Sequence, residues 1–134
     1  MESLVGKWKV YKSENLDEFL KFMDFGMIMR TAAKNLNPTH TITVDGNTFT
    51  IKAEAGPKTT TTSLTLGEEC DRKSEQGDDI KSLASFSDGV LKVLNTPKDS
   101  KKKTVTVERN IQGDDLVMTM TAGAVVAKRY FKKA

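Results

Sequence analysis

Residues 40–55 read HTITVDGNTFTIKAEA, and the reading of this stretch decides the fold. His40, Ile42 and Val44 fall on one side of an alternating pattern, and Thr41 and Thr43 on the other. A period of two is that of a β-strand. Asp45, Gly46 and Asn47 then form a hairpin turn signal, because such residues reach the dihedral angles of a tight turn. Alternation resumes with Phe49, Ile51 and Ala53 opposing Thr50, Lys52 and Glu54. Two alternating runs across a tight turn predict an antiparallel hairpin.

The same pattern recurs outward from this hairpin. TTTTSLTL (59–66) ends at Gly67, and DIKSLASF (79–86) ends at Ser87-Asp88-Gly89. VLKVLN (90–95), KTVTVERNI (103–111), LVMTMTA (116–122) and VVAKRYFKK (125–133) follow, with a turn at Gly113-Asp114-Asp115. With SLVGKWKVYKS (3–13) at the front, about ten short strands stand at regular spacing. This predicts an all-β fold, a ten-stranded antiparallel up-and-down β-barrel of the lipocalin-like or β-clam kind. The exception is Asn15 to Asn37. Leu16, Phe19, Leu20 and Met23 follow a 3.6-residue period, Asp24-Phe25-Gly26 interrupts, and MIMRTAAKNL (27–36) is again helical until Pro38. A short helix-turn-helix is therefore expected to cap the barrel.

Composition narrows the interior. Only 37% of the 134 residues are hydrophobic and one is Trp. Several strands carry Thr, Ser or a charge on their inner face. Such side chains alone fill a wide barrel poorly, whereas a barrel enclosing ligand and water needs no full apolar core.

The same numbers exclude several classes. The length fits one domain, residues 1–134. The lone Cys70 forms no internal disulfide and is expected as a small buried hydrophobe, so a reducing, cytoplasmic setting is expected. The N-terminal stretch lacks the apolar run of a secretory signal, and no segment approaches the ~18 apolar residues of a membrane span. A net charge of +3 is weak for a nucleic-acid binder, so no nucleic-acid partner is expected. KDSKKK (98–103) lies between two strands and reads as a solvated hairpin tip. One His and one Cys supply neither a metal cluster nor a nucleophile–base pair, so neither an enzyme nor a cofactor is expected.

Alternation also orients the charged residues. On 125–133, Val125, Ala127, Arg129 and Phe131 share a face, while Val126, Lys128, Tyr130 and Lys132 share the other. Two lysines mark the second face as the solvent side, so Arg129 is read as pointing inward. Arg109 likewise shares the face of Val105 and Val107, against Thr104, Thr106 and Glu108. Met118 and Met120 are read inward, opposite Val117 and Thr119, and His40 inward with Ile42 and Val44. Two inward arginines with few inward acids call for an external carboxylate and cavity water.

Taken in order, VGKWKVYKSENLDEFL, NPTHTITVDGNTFTI, LTLGEECD, VERNIQGDDL and AGAVVAKRYFKKA resemble, over the whole chain, the intracellular lipid-binding family of cytosolic fatty-acid-binding proteins. The resemblance implies a ten-stranded antiparallel clam with two capping helices over a water-filled cavity. It also implies non-covalent binding and intracellular transport of a long-chain fatty acid, its carboxylate fixed by two arginines and a tyrosine. Arg109 and Arg129 match the two arginines. Retinol binders of the family carry glutamines there, so an alcohol ligand is disfavoured. Phe131 stands where the family usually has the tyrosine, and Tyr130 supplies a hydroxyl only if a bulge turns it inward.

Met118 and Met120 are expected along the ligand chain and Met27 and Met29 at the opening, and His40 is expected as a hydrogen-bonded inner polar residue, the alternative being a group that contacts ligand or shifts its affinity with pH. Pro57 replaces the family's usual portal Phe. Arg72 and Asp78 look like a charge swap across the mouth. A monomer is expected, with transient contact to anionic membrane through Lys21, Arg30 and Lys34. The alternatives are a carrier of another hydrophobic anion, retinoic acid or a bile acid, or an interaction barrel with a vestigial cavity.

Overall fold

A computed structural model of the chain describes residues 1–134. After a single 3₁₀ turn (Glu2–Leu4) come β1 (Gly6–Glu14), α1 (Leu16–Phe22) and α2 (Met27–Asn35). Nine further strands follow: β2 (Thr39–Asp45), β3 (Thr48–Ala55), β4 (Lys58–Thr65), β5 (Cys70–Lys73), β6 (Asp79–Ser87), β7 (Val90–Pro97), β8 (Val105–Gln112), β9 (Asp115–Ala122) and β10 (Val125–Lys133). The sequence runs quoted above account for nine strands. The one they omit is β5, whose four residues are too few to display alternation.

All ten strands form one antiparallel sheet in the order β4-β3-β2-β1-β10-β9-β8-β7-β6-β5. Each strand pairs with its chain neighbour except at two places: β1 closes onto β10, and β4 and β5 are left as edges. The edges are tied by other means. The Arg72 guanidinium on β5 donates to Thr62 Oγ1 on β4 at 3.0 Å. The Gly67 amide, in the turn between them, donates to the Ala84 carbonyl of β6 at 2.9 Å. The founding hairpin has the expected register, with Ile42 opposite Ile51 and Asp45 opposite Thr48. Gly46 takes a positive φ of 61° at its tip, a conformation glycine adopts without steric penalty.

A β-bulge interrupts β1. Val10 faces Phe131 and Lys12 faces Tyr130, so the residue between them, Tyr11, has no partner of its own. The extra residue shifts the phase of β1 by one. Trp8 and Val10 point inward before the bulge, and Ser13 returns to the face of Arg129 after it.

The apolar side chains gather at two ends. The larger cluster joins Leu4, Trp8, Phe49, Leu64, Leu91, Leu116 and Phe131 with six other buried residues, and Cys70 packs half-buried against it. The smaller one joins Phe19 of α1 to Ala122 and Ala127, beneath the helices. Between them, inward-facing Thr62, Arg72, Val107, Met120 and Arg129 keep solvent-accessible surface, which marks an open interior.

The helix pair is unevenly anchored. Leu16 and Phe19 bury the inner face of α1, but no residue of α2 is buried. Asp17 of α1 instead holds α2 by ion pairs to Arg30 (3.2 Å) and Lys34 (3.5 Å). Met27 and Met29 on α2 are exposed. The KDSKKK connection does form a hairpin tip, yet Lys103 reaches back to Asp24 and lies over the Phe22 ring.

Candidate functional site

The polar belt between the two apolar clusters is built by the strands' inner faces. On β9, Met118 pairs with Arg109 of β8 on one side and Arg129 of β10 on the other. The two arginines thus flank one methionine, with Cα atoms about two strand spacings, ~10 Å, apart. Met120 lies next along, opposite Val107 and Ala127. Arg109 and Arg129 take the inward face that alternation assigned them.

Their environments differ. Arg109 is 9% exposed and its Nε has no hydrogen-bond partner. Burial, and then the nearby charge of Arg72, push its guanidinium down to about 10, still fully charged at neutral pH. Arg129 is half-buried and donates from Nε to Ser13 Oγ at 3.1 Å, through the phase shift of the β1 bulge. Burial lowers its pKa while the field of Glu75 opposes the shift. A cleft of about 440 Å³, edged by Ser13, Leu16, Lys34 and Asn37, reaches Arg129 from outside. A second depression of about 460 Å³ lies away from the arginines, beside Phe22 and Val125.

Phe131 and His40 close the belt on the side of the larger cluster. Their rings sit 4.8 Å apart at 44°. His40 Nδ1 is buried without a partner. Burial, with the charges of Arg109 and Arg129, lowers its pKa to about 3. The imidazole is held neutral, and the hydrogen-bonded inner role expected for it is corrected, since Nδ1 finds no partner.

Tyr130 is also corrected: it is on the outside. The bulge falls in β1 rather than β10, so β10 keeps a strict alternation. The Tyr130 hydroxyl donates to Glu14 at 3.1 Å, Lys12 lies over its ring, and its ring tilts against Tyr11 at 6.5 Å. Tyr11 in turn donates to Asp115 on the same outer surface.

Arg72, read from the sequence as part of a charge swap across the mouth, turns inward. Its Nε donates to Ser82 Oγ at 2.8 Å, and the fully buried Ser82 hydroxyl donates to Asn95 Oδ1 at 2.6 Å. Asp78 is no counterpart across the mouth, for its carboxylate lies at the surface, 4.0 Å from Lys102. The sequence signal for the Ser82–Asn95 support is the alternation that sets Ser82 with Ile80 and Ala84 on the inner face of β6. No group of three or more His, Cys, Asp or Glu residues is placed to hold a metal ion. No helix is long and apolar enough to cross a membrane.

A family model described as lipocalin / cytosolic fatty-acid binding protein family matches residues 5–134. Fatty acid-binding protein homolog 6 of Caenorhabditis elegans is 36% identical over 131 residues, covering 97% of this chain and 96% of its own. The fatty acid-binding protein of Lepidoglyphus destructor is 33% identical over 134 residues, covering 100% of both chains. Among solved structures, a Schistosoma mansoni fatty acid binding protein in complex with arachidonic acid is similar with a TM-score of 0.91 at 31% identity. That match covers 100% of this chain and 98% of the other.

Proposed function

The chain belongs to the lipocalin / cytosolic fatty-acid binding protein family, and from that premise we propose that it binds a long-chain fatty acid non-covalently inside the barrel. The carboxylate pairs with Arg109 and Arg129, and the alkyl chain runs along Met118 and Met120, while Phe131, fully buried in the larger cluster, is left out of the contact expected for it. The observation that carries this reading is the buried Arg109 guanidinium, which has no protein carboxylate to pair with. A buried charge without a partner is costly, and a ligand carboxylate relieves that cost through charge-assisted, bidentate hydrogen bonds. The flexible methionines accommodate an alkyl chain in more than one shape. His40 contributes a neutral polar edge beside Phe131.

The protein then acts as a cytoplasmic carrier that keeps its ligand soluble and makes or breaks no bond. Lys21, Arg30 and Lys34 on the helix pair give it a basic surface for transient contact with anionic membrane. The test is displacement of a fluorescent anionic probe from delipidated protein. Palmitate displaces it, and palmitate methyl ester does so more weakly. Arg109→Ala and Arg129→Ala each weaken palmitate by roughly tenfold to a hundredfold, the equivalent of about 1.5–3 kcal/mol for a charged hydrogen bond. Equal affinity for acid and ester rules out the two-arginine site.

A further inference from the structure

Three arginines, not two, lie on the inner face of this barrel: Arg109 and Arg129 flank Met118, and Arg72 stands at the β4–β5 gap. Arg72 reaches in from β5 and is held by Ser82 and Thr62. It lies close enough for its charge to be felt at Arg109. Each guanidinium carries about five N–H donors. Arg72 uses two of these on protein atoms, Arg129 uses one and Arg109 none. None of the three forms an ion pair, since every pair in the molecule involves other residues. The acid whose field reaches Arg72 and Arg129 is Glu75, which is itself exposed.

One carboxylate brings a single charge and two oxygens. It leaves two of three interior cations uncompensated and most of their donors idle. A phosphate monoester brings about −1.5 to −2 charges at neutral pH and three strong acceptor oxygens. We propose that the interior is built for an amphiphile whose single head carries two negative charges, such as a long-chain alkyl phosphate monoester, and that Arg72 distinguishes this head from a monocarboxylate. The Arg72–Ser82–Asn95 hydrogen-bond chain sets the fork in place before a ligand arrives, which limits the entropy lost on binding. The proposal rests on the reading of the barrel interior as the ligand site.

Hexadecyl phosphate, hexadecyl sulfate and palmitate are compared by displacement of one fluorescent anionic probe, at about pH 8, where the phosphate is a dianion. The sulfate shares the tetrahedral head but carries one charge. The expected result is that the phosphate binds at least about tenfold tighter than either singly charged ligand. In Arg72→Gln the ratio of phosphate to palmitate affinity collapses to within about threefold, and Arg72→Lys, which keeps the charge but loses the planar fork, retains an intermediate ratio. The readout is a ratio, which a loss of the tie between β4 and β6 alone does not move. Equal affinity for the three ligands overturns the proposal, as does a preference that survives in Arg72→Gln. Two palmitates bound per chain in native mass spectrometry also overturn it, because separate heads then share the cations. Palmitate binding without a phosphate preference overturns this proposal alone, whereas failure of every ligand overturns the interior-site reading with it.

Discussion

His40 sits where three neighbours decide its protonation. Burial against Phe131 and the positive field of Arg109 and Arg129 together lower its pKa from 6.5 to about 3. In the unfolded chain none of these neighbours acts on it. Between pH 6.5 and about 3 the unfolded state therefore binds a proton that the folded state refuses. The contribution of His40 to stability is complete above pH 6.5 and is lost as pH falls towards the folded value, at up to about 1.4 kcal/mol per pH unit. Urea unfolding from pH 7 to 4 checks this. His40→Gln flattens the acid loss relative to the parent, and parallel profiles rule out the shielded imidazole. The inward direction of His40 was legible from the Ile42 and Val44 alternation. Its charge state was not, because the two arginines that impose it arrive on strands far along the chain. Tyr130 shows the same limit from the other side. Whether a bulge turns it inward depends on which of two paired strands carries the extra residue, and alternation within β10 alone says nothing about β1.

At the scale of elements, α1 and α2 are alike in length and sequence period but not in attachment. α1 buries Leu16 and Phe19 against Ala122 and Ala127, while α2 buries nothing and relies on Asp17 for both its ion pairs. Exposed ion pairs stabilise by only about 0–1 kcal/mol each. α2 should thus open far more readily than the strands beneath it. Asp17→Asn removes both attachments. Amide exchange over 27–35 is expected to speed up while exchange in β1, β9 and β10 stays unchanged, with global stability lower by about 1 kcal/mol or less. Equal acceleration in the strands disproves this division. The existence of both helices was readable from the 3.6-residue period and Pro38, because these signals are local. The unequal docking was not, since it depends on what the barrel presents to each helix. The strand β5 is not legible for a similar reason: four residues with charges on both faces form a strand only because β6 supplies partners for Cys70 through Lys73.

The whole molecule divides into a packed end, a polar middle and a thin helical lid, and this division should be measurable as a difference in mutational cost. Phe49 is 1% exposed within the larger cluster, where interior packing is dense and a deleted side chain leaves a void. Phe49→Ala is expected to cost about 3–5 kcal/mol. Val107 faces inward as well, between Val93 and Met120, but at the margin of that cluster, where it is only half-buried. Truncation there enlarges a space that already exists instead of creating one, so Val107→Ala should cost about 1 kcal/mol or less. Urea unfolding of both variants measures this, with the denaturant slope held constant to certify the same folded and unfolded surfaces. Equal costs at the two positions mean that the margin is packed after all, and the low hydrophobic fraction then needs another explanation. A second arm follows from mass action. A ligand that fills the interior stabilises the folded state by RT ln(1 + [L]/Kd). At saturating palmitate the parent and the Val107→Ala chain should both gain stability, because Arg109 and Arg129, the proposed contacts of the head, are intact in each. If the Val107→Ala chain alone loses that gain, the alkyl chain lies against β8 more tightly than its half-buried surface implies.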